Sequence, residues 1–475
     1  MTERILNFIG GKTLIETNRK VSSWMTFGKL LVISLLGIGI PVALLSVATD
    51  ATALNLQQRL MSLWGLFVLM GIGYALSNNR SQINIRLVVS GLLLQLGFAA
   101  LILKTQAGHA FFATTAKIVT GLLMFTNQGS TFLFGNRLMD MQNFGFVFVF
   151  QVLPMIIFVS ALTAVLYYFG ILQKIVGAMA WVMTRIMGVS GAESLASAAN
   201  TFVGQTEAPL FIRPYISKMT NSELMALMTG GFATIAGAVL ATYAVFLHQA
   251  GLHDGAGHLL AASVISAPAA LLMAKIMFPE VEKTVTGGQA KVDVPITDVN
   301  AIDALSRGAS EGLKLAVNVA AMLLAFIAFI ALFNWVLGSG LDLLLSQFGL
   351  GPWNLSLEKV FGWMFAPLAW VMGVPWVDCM NVGNLLGQKT MINEFVGYLS
   401  LKDMVANGTI GPRSQIIAIY ALCGFSNLSS IAIQLGGIGP LAPERRGDLA
   451  KLGFKAMIAG SLACFMTATI AGMLI

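Results

Sequence analysis

Apolar runs of about 20 residues recur along the chain, each long enough to cross a bilayer core as a helix. They are Leu30–Val47, Leu60–Leu76, Leu87–Leu103, Phe144–Tyr168, Met225–Leu247, Leu259–Phe278, Leu315–Leu337, Ile416–Gly436 and Lys455–Ile475. This pattern predicts nine spans. Small residues, SVATDATA, follow the first run as they would at a signal cleavage site, but some 29 residues precede it. That is long for a signal n-region, so the run is read as a retained span. Two polar-rich stretches are predicted to lie along the interface. One is Gly108–Asn136; the other places Val299, Ile302, Leu305, Ala309 and Leu313 at helical spacing, an amphipathic helix.

Two regions are too short and too interrupted to span. Ser190–Thr220 holds Gly204-Gln205-Thr206-Glu207 and then Pro209 near its middle; Pro375–Asp403 holds Asn393-Glu394. Each reads as two half-helices meeting at a polar tip, which lipid tolerates only where the tip faces a cavity or other protein. Each is followed by a span with a polar centre, GGFATIAGAVLATY from Gly230 and CGFSNLSSIAIQLGG from Cys423. The hairpins open to opposite sides, so the units are inverted repeats, the sequence signature of a secondary transporter's binding site. The predicted fold is an all-α polytopic membrane protein: about nine transmembrane helices plus two opposed re-entrant hairpins. Its divisions are 1–59 (an extension with one span), 60–142 (spans and interfacial segment) and 143–278 (first repeat, hairpin 190–220). Then come 279–310 (polar loop and amphipathic helix), 311–454 (second repeat, hairpin 375–403) and 455–475 (last span).

Composition agrees. Only 10% of residues are charged, 57% are hydrophobic and mean hydropathy is +0.80. A soluble domain carries roughly 25% charge, so a soluble enzyme is excluded. The net charge of +7 would suggest nucleic acid in a soluble protein; here the basic residues gather in alternate loops, as positive-inside loops do. Arg4, Lys12, Arg19, Lys20, Lys29, Arg80, Arg86, Lys174, Arg185, Arg213, Lys218, Lys283, Lys291, Arg307, Lys314, Arg445, Arg446, Lys451 and Lys455 all fall on one side, with Lys104, Lys117 and Arg137, in or beside one semi-polar stretch, as the exceptions. The N-terminus is therefore expected in the cytoplasm and the C-terminus outside. Cys379, Cys423 and Cys464 lie far apart without CxxC spacing and read as packing residues. His248, His253 and His258 share one loop, read as solvated rather than metal-binding.

In so poorly charged a chain, Glu207 and Glu394 stand out. A carboxylate at bilayer depth costs at least about 2.5 kcal/mol. Ionised carboxylates only accept hydrogen bonds, which suits a neutral solute rich in hydroxyl or N–H donors. Gln205, Thr206, Asn393, Asn427 and Ser430 supply further donors and acceptors, and Asn427 and Ser430 share a helix face.

At these residues the chain resembles the concentrative nucleoside transporter family, sodium-coupled and bacterial in type. The resemblance rests on GQTEAP at Gly204–Pro209, GFATIAGAV at Gly231–Val239, NEFVGYL at Asn393–Leu399, CGFSNLSSIAI at Cys423–Ile433 and SRGASEGLKL at Ser306–Leu315. It covers the segment order from about Met61 to the C-terminus. It implies that Gln205, Thr206, Glu207, Val239 and Phe425 contact a nucleobase. It assigns Glu394, Asn427 and Ser430 to ribose hydroxyls. It further implies a Na⁺ held by the side chains of Asn200 and Thr234 and the carbonyls of Val203 and Ile235, an all-oxygen set suited to a hard cation. Na⁺ is then the coupling ion, no other cofactor is needed, and the partners are a nucleoside such as uridine, Na⁺ and the lipid bilayer. The family also implies elevator-type alternating access, a homotrimer and a bacterial inner-membrane location. Residues 1–59 depart from typical bacterial members, which begin near Leu60.

Two rival readings are a proton-coupled permease and an intramembrane enzyme. Retention of GQTEAP favours Na⁺ over H⁺. No HExxH and no Ser-His constellation accompanies the two glutamates, which disfavours catalysis.

Overall fold

The computed structural model describes residues 51–139, 147–287, 298–349 and 353–475. The predicted span Leu30–Val47, with most of the 1–59 extension, lies outside the described residues, as do the first residues of Phe144–Tyr168. The described chain is helical throughout, without strands. Helices α1 (Ala51–Ala75) and α2 (Ile85–Lys104) match two predicted spans. The side chain of Asn84 starts α2 by accepting from the Leu87 N–H at 3.3 Å, which satisfies one orphan donor of the first turn.

The stretch expected along the interface forms a single 34-residue helix, α3 (Gln106–Met139), interrupted only at Gly135. Its length and composition would also permit a crossing. The run ending at Tyr168 becomes α4 (Leu153–Tyr168). An unpredicted amphipathic helix follows, α5 (Ile171–Met187), bounded by left-handed Gly170 and Gly188. Its buried stripe, Leu172, Val176, Ala180, Met183 and Met187, recurs at three- and four-residue spacing. That periodicity was readable in the sequence and was masked by the basic residues Lys174 and Arg185.

Both predicted broken segments are broken. In the first, α6 (Gly191–Asn200) runs into a turn and then a 3₁₀ stretch, Ala208–Ile212. In the second, α12 (Cys379–Met391) stops at Ile392 and α13 (Glu394–Ala406) restarts at once, with Asn393 as its cap. The spans behind them are also broken. The first divides into α7 (Asn221–Ala233) and α8 (Gly237–Gln249), the second into α14 (Pro412–Leu422) and α15 (Leu428–Ile438). The two units share the same order: half-helix, tip, half-helix, split span.

Two expectations are corrected. The amphipathic helix near 299–313 and the span Leu315–Leu337 are one continuous 35-residue helix, α10 (Ala301–Trp335). Nothing between them stops a helix, since no proline intervenes. Its large apolar residues Ile302, Leu305 and Leu313 point outward, whereas Ala304, Gly308, Gly312 and Ala316 face inward at four-residue spacing. A Cβ on Gly308 would lie 2.8 Å from the Ala161 Cα of α4, and one on Gly312 2.8 Å from the Ile157 Cα. Small residues thus let the two backbones nearly touch, the usual way membrane helices pair. The second correction is α11 (Leu357–Val371), absent from the nine predicted spans. With a break at 372–375 it bends by 118° into the second hairpin.

Among the described residues, seven helices are long and apolar enough to cross a membrane, or eight if the bent pair counts as one. Two of them form the centre. Helix α9 (Gly255–Met277) is almost wholly buried and α16 (Arg446–Leu474) is buried beyond its first turns, and both pack against α1, α2, α7 and α14. They hold the broken elements in place. One buried ion pair ties that centre to the first repeat: Lys275 of α9 meets Glu193 of α6 and donates to Ser222 of α7 at 2.8 Å. Glu193 and Glu223 each close a capping box, with Ser190 and Thr220.

Candidate functional site

The tip of the second hairpin places Glu394 at the first position of α13, 6% exposed. One carboxylate oxygen accepts from the Tyr243 hydroxyl at 2.9 Å, the other from the Asn427 amide at 2.8 Å. Asn427 works at both ends. Its carbonyl oxygen caps α15, accepting from the Ser430 N–H at 2.9 Å, while its NH₂ reaches Glu394. The break before it passes through Gly424 at φ +122, where a Cβ would strike the Phe232 carbonyl at 2.6 Å; only glycine fits there.

The turn of the first hairpin meets the same helix, α15. Gln205 donates to the Ser430 hydroxyl at 3.3 Å and accepts from Gln434 at 3.1 Å. Thr206 lies against Gly437, whose absent Cβ leaves the space. Gly204 adopts φ +97 and passes so close to Ala236 that a Cβ would lie 2.7 Å away. Val239 is buried one turn ahead of Tyr243, and Phe425 is half-buried in the second break. The structure therefore joins Gln205, Ser430, Asn427 and Glu394 into one hydrogen-bonded chain across the two repeats.

Glu207 stands apart. Its side chain is exposed and lies on the side of Arg307 and Glu311 of α10, not within the Glu394 network. The two carboxylates are thus unequal: Glu394 is held by two donors, whereas Glu207 lies on an accessible surface. Asn393 is also reassigned: its side chain accepts from the Val396 N–H at 3.0 Å and acts as a cap. Sequence reasoning missed Tyr243 and Gln434. Helical spacing could have found both, since Tyr243 is four residues past Val239 and Gln434 four past Ser430.

The proposed cation ligands converge at the first repeat's own junction. The Thr234 hydroxyl sits 2.9 Å from both the Asn200 and the Gly230 carbonyls. Asn200 is 1% exposed, yet its side-chain oxygen and nitrogen have no hydrogen-bond partner. Val203 and Ile235 lie at the two chain breaks, and among the described residues neither carbonyl accepts a backbone hydrogen bond. Buried polar groups left without partners are costly, and Asn200 is such a group beside the Thr234 hydroxyl. The set fits a hard monovalent cation. Among the described residues no group of three or more His, Cys, Asp or Glu is placed to hold a metal. His248, in the last turn of α8, and His253 face each other at 3.2 Å beside a cavity of about 170 Å³ that is separate from this site, whereas His258 lies in α9, not in a solvated loop, with its ring 3.2 Å from the Tyr420 hydroxyl.

Two matched broken hairpins, split spans and a polar centre buried among apolar helices define a membrane-embedded secondary transporter. Comparison with known proteins names the kind. Profiles described as Na⁺ dependent nucleoside transporter N-terminus, nucleoside recognition, and Na⁺ dependent nucleoside transporter C-terminus match residues 64–137, 149–250 and 258–472. An uncharacterized transporter of Haemophilus influenzae is 45% identical over 420 residues, which cover 88% of this chain and 98% of that one. Sodium/nucleoside cotransporter 2 of Rattus norvegicus is 39% identical over 439 residues, covering 89% of this chain and 64% of that one. The solved structure of CNTnw in an inward-facing substrate-bound state superposes with TM-score 0.79 at 43% identity, covering 87% of this chain and 97% of that one. Variants of the same protein have been solved in an outward-facing state. The chain belongs to the Na⁺-dependent, concentrative nucleoside transporter family. The relatives are transporters rather than enzymes, and Na⁺ is the family's coupling ion.

Proposed function

We propose that this protein imports nucleosides across a bacterial inner membrane by Na⁺ symport, with the N-terminus in the cytoplasm and the C-terminus outside. The single observation that carries the reading is the Glu394–Asn427–Ser430–Gln205 chain, which crosses from one repeat to the other at a buried polar centre. Glu394 accepts from ribose hydroxyls while Asn427 and Ser430 orient the sugar. Gln205, with an amide that both donates and accepts, reads a base edge beside Thr206, Glu207, Val239 and Phe425. Na⁺ is held by Asn200 and Thr234 with the carbonyls of Val203 and Ile235. Because Asn200, Val203 and Gln205 lie on one short turn, filling the cation site fixes the turn that reads the base. That is a physical route to coupling: each ligand orders what the other needs.

Inward- and outward-facing structures of CNTnw support alternating access. Here the unit that moves, elevator-fashion, is the pair of hairpins with their split spans. A scaffold including the α4–α10 pair stays fixed, and its outward face, Leu324, Phe329 and Trp335, suits the contacts of a homotrimer. The test is radiolabelled uridine uptake into proteoliposomes under separate Na⁺ and H⁺ gradients. Accumulation above equilibrium driven by Na⁺ alone supports the reading. Uptake driven by the pH gradient in choline buffer replaces Na⁺ with H⁺, and conversion of uridine without accumulation makes the protein an enzyme.

A further inference from the structure

The connection between α8 and α9 holds two side chains that the transport scheme does not use. His248 lies in the last turn of α8, and His253 lies five residues on, before α9 begins at Gly255. Both are exposed, yet their Nδ1 atoms face each other at 3.2 Å, with the rings inclined at 65°. Freely solvated side chains keep no fixed spacing; this one is built on the main chain beneath it. After His248 the chain turns through Gly251 at φ +93. The N–H groups of Ala250, Gly251 and Leu252 donate to the carbonyls of Phe246, His248 and Leu247 at 3.1, 3.0 and 2.8 Å. A left-handed residue with such bonds closes a helix and satisfies its last carbonyls. Behind it, a Cβ on Gly255 would lie 2.6 Å from the Leu247 Cβ, so the start of α9 is pressed onto the end of α8. The turn therefore sets the two rings before any ligand arrives.

Two facing Nδ1 atoms can share a proton, one imidazole donating and the other accepting. They can equally share a metal ion. Zinc binds imidazole nitrogen at about 2.0–2.1 Å in a tetrahedron, which puts two such nitrogens roughly 3.3–3.4 Å apart. The 3.2 Å separation lies within about 0.2 Å of that bite, the tolerance of a real site. There is also room for the ion's other ligands. The pair lines a cavity of about 170 Å³, and short side chains make much of the remaining wall: Ala116 and Thr120 of α3, Ala244 of α8 and Ala256 of α9. Charge agrees, since His248–His258 carries Asp254 and no Lys or Arg. Among the described residues no group of three such ligands forms, so water completes the shell and the ion is exchangeable.

We propose that His248 and His253 form a two-imidazole site for a Zn²⁺-class divalent cation. The imidazole that carries its proton on Nδ1 shifts it to Nε2, so both Nδ1 lone pairs face the ion. The ion crosslinks the end of α8 to the turn before α9. Helix α8 carries Tyr243 to Glu394, and Tyr243 is five residues before His248, so an occupied site stiffens that helix from its far end. Mg²⁺ and Ca²⁺ prefer oxygen ligands and are refused. In the orientation given above the connection faces outside, where such an ion reaches it without crossing the membrane.

The experiment titrates ZnCl₂ into purified full-length protein without an affinity tag, by calorimetry in detergent, with MgCl₂ as the control. Wild type binds one Zn²⁺ per chain, is indifferent to Mg²⁺, and melts at a higher temperature with Zn²⁺ than without it. Loss of even an outer-shell partner costs a metal site about 10- to 100-fold, so His248→Gln and His253→Gln each weaken Zn²⁺ by at least about tenfold and abolish the thermal shift. Zinc-edge X-ray absorption of the wild-type complex shows two imidazole ligands with oxygen in the remaining positions. Wild type without Zn²⁺ binding overturns the proposal, as does unchanged Zn²⁺ affinity in both variants. An absorption spectrum with fewer than two imidazoles overturns it too, even if the variants fail to fold.

Discussion

Replacing Glu394 with Gln is the sharpest test of the sugar site, because it keeps the size of the side chain and changes only its hydrogen-bonding character. Both oxygens of Glu394 now accept, from Tyr243 at 2.9 Å and from Asn427 at 2.8 Å. An amide offers one acceptor and one NH₂. The NH₂ must face either the Asn427 amide donor or the Tyr243 hydroxyl. The hydroxyl can turn to accept; the Asn427 NH₂ cannot, because the carbonyl oxygen of that residue is held as the cap of α15. Glutamine therefore settles with its oxygen toward Asn427, and the folded state survives with a loss of about 1–3 kcal/mol at most. Substrate binding suffers separately. A sugar hydroxyl that donated to a charged acceptor loses about 1.5–3 kcal/mol, or roughly 10- to 150-fold in affinity. The loss must depend on the hydroxyls. Calorimetry with uridine and with 2′,3′-dideoxyuridine separates the terms: Glu394→Gln weakens uridine strongly and the dideoxy compound by less than about threefold, since it has no ribose donors to lose. Equal weakening of both ligands, or uridine affinity within twofold of wild type, refutes the assignment.

Three further predictions concern other parts of the machinery. Asn200→Leu removes polar atoms that have no partner in the protein, so stability without Na⁺ is retained while the rise in melting temperature on adding Na⁺ disappears; a preserved Na⁺-induced shift contradicts the ligand set. Gln205→Ala changes the ranking of uridine, cytidine, adenosine and guanosine in competition uptake more than it changes Na⁺ dependence; uniform loss with unchanged ranking speaks against a base-reading role. Lys275→Met strands Glu193 in the apolar centre and lowers stability by about 3–5 kcal/mol. Thermal unfolding in detergent measures this, and adding Glu193→Gln to the variant recovers part of the loss; no loss in the single variant would mean that the pair contributes nothing.

Much of the buried polar network was legible because charge is so scarce. In an apolar chain, GQTEAP, NEF and SNLSS are conspicuous, and each falls at a chain break in the structure. The 3.6-residue spacing also put Asn427 and Ser430 on one face. What was not legible came from contacts between distant segments. Tyr243 looks like an ordinary core aromatic until α8 is laid beside α13. Glu207 and Glu394 look equivalent in sequence and prove unequal, because only the second hairpin tip is enclosed by the partners of another repeat. Helix α11 escaped prediction because its apolar run, interrupted by Pro367 and ended by Gly373, leads into a bend rather than a second aqueous loop.

The sequence by itself determined the solvent, the class and the places of rupture. Low charge and long apolar runs demand lipid, and polar residues with glycine inside such runs demand breaks that face protein. The tertiary structure decided what those breaks are for. Hydrogen bonds are short and directional, so whether a buried amide caps a helix, as Asn393 does, or waits without a partner, as Asn200 does, depends on what other segments bring within 3 Å. Periodicity reports which face of a helix is apolar; it does not report which helix will lie against it.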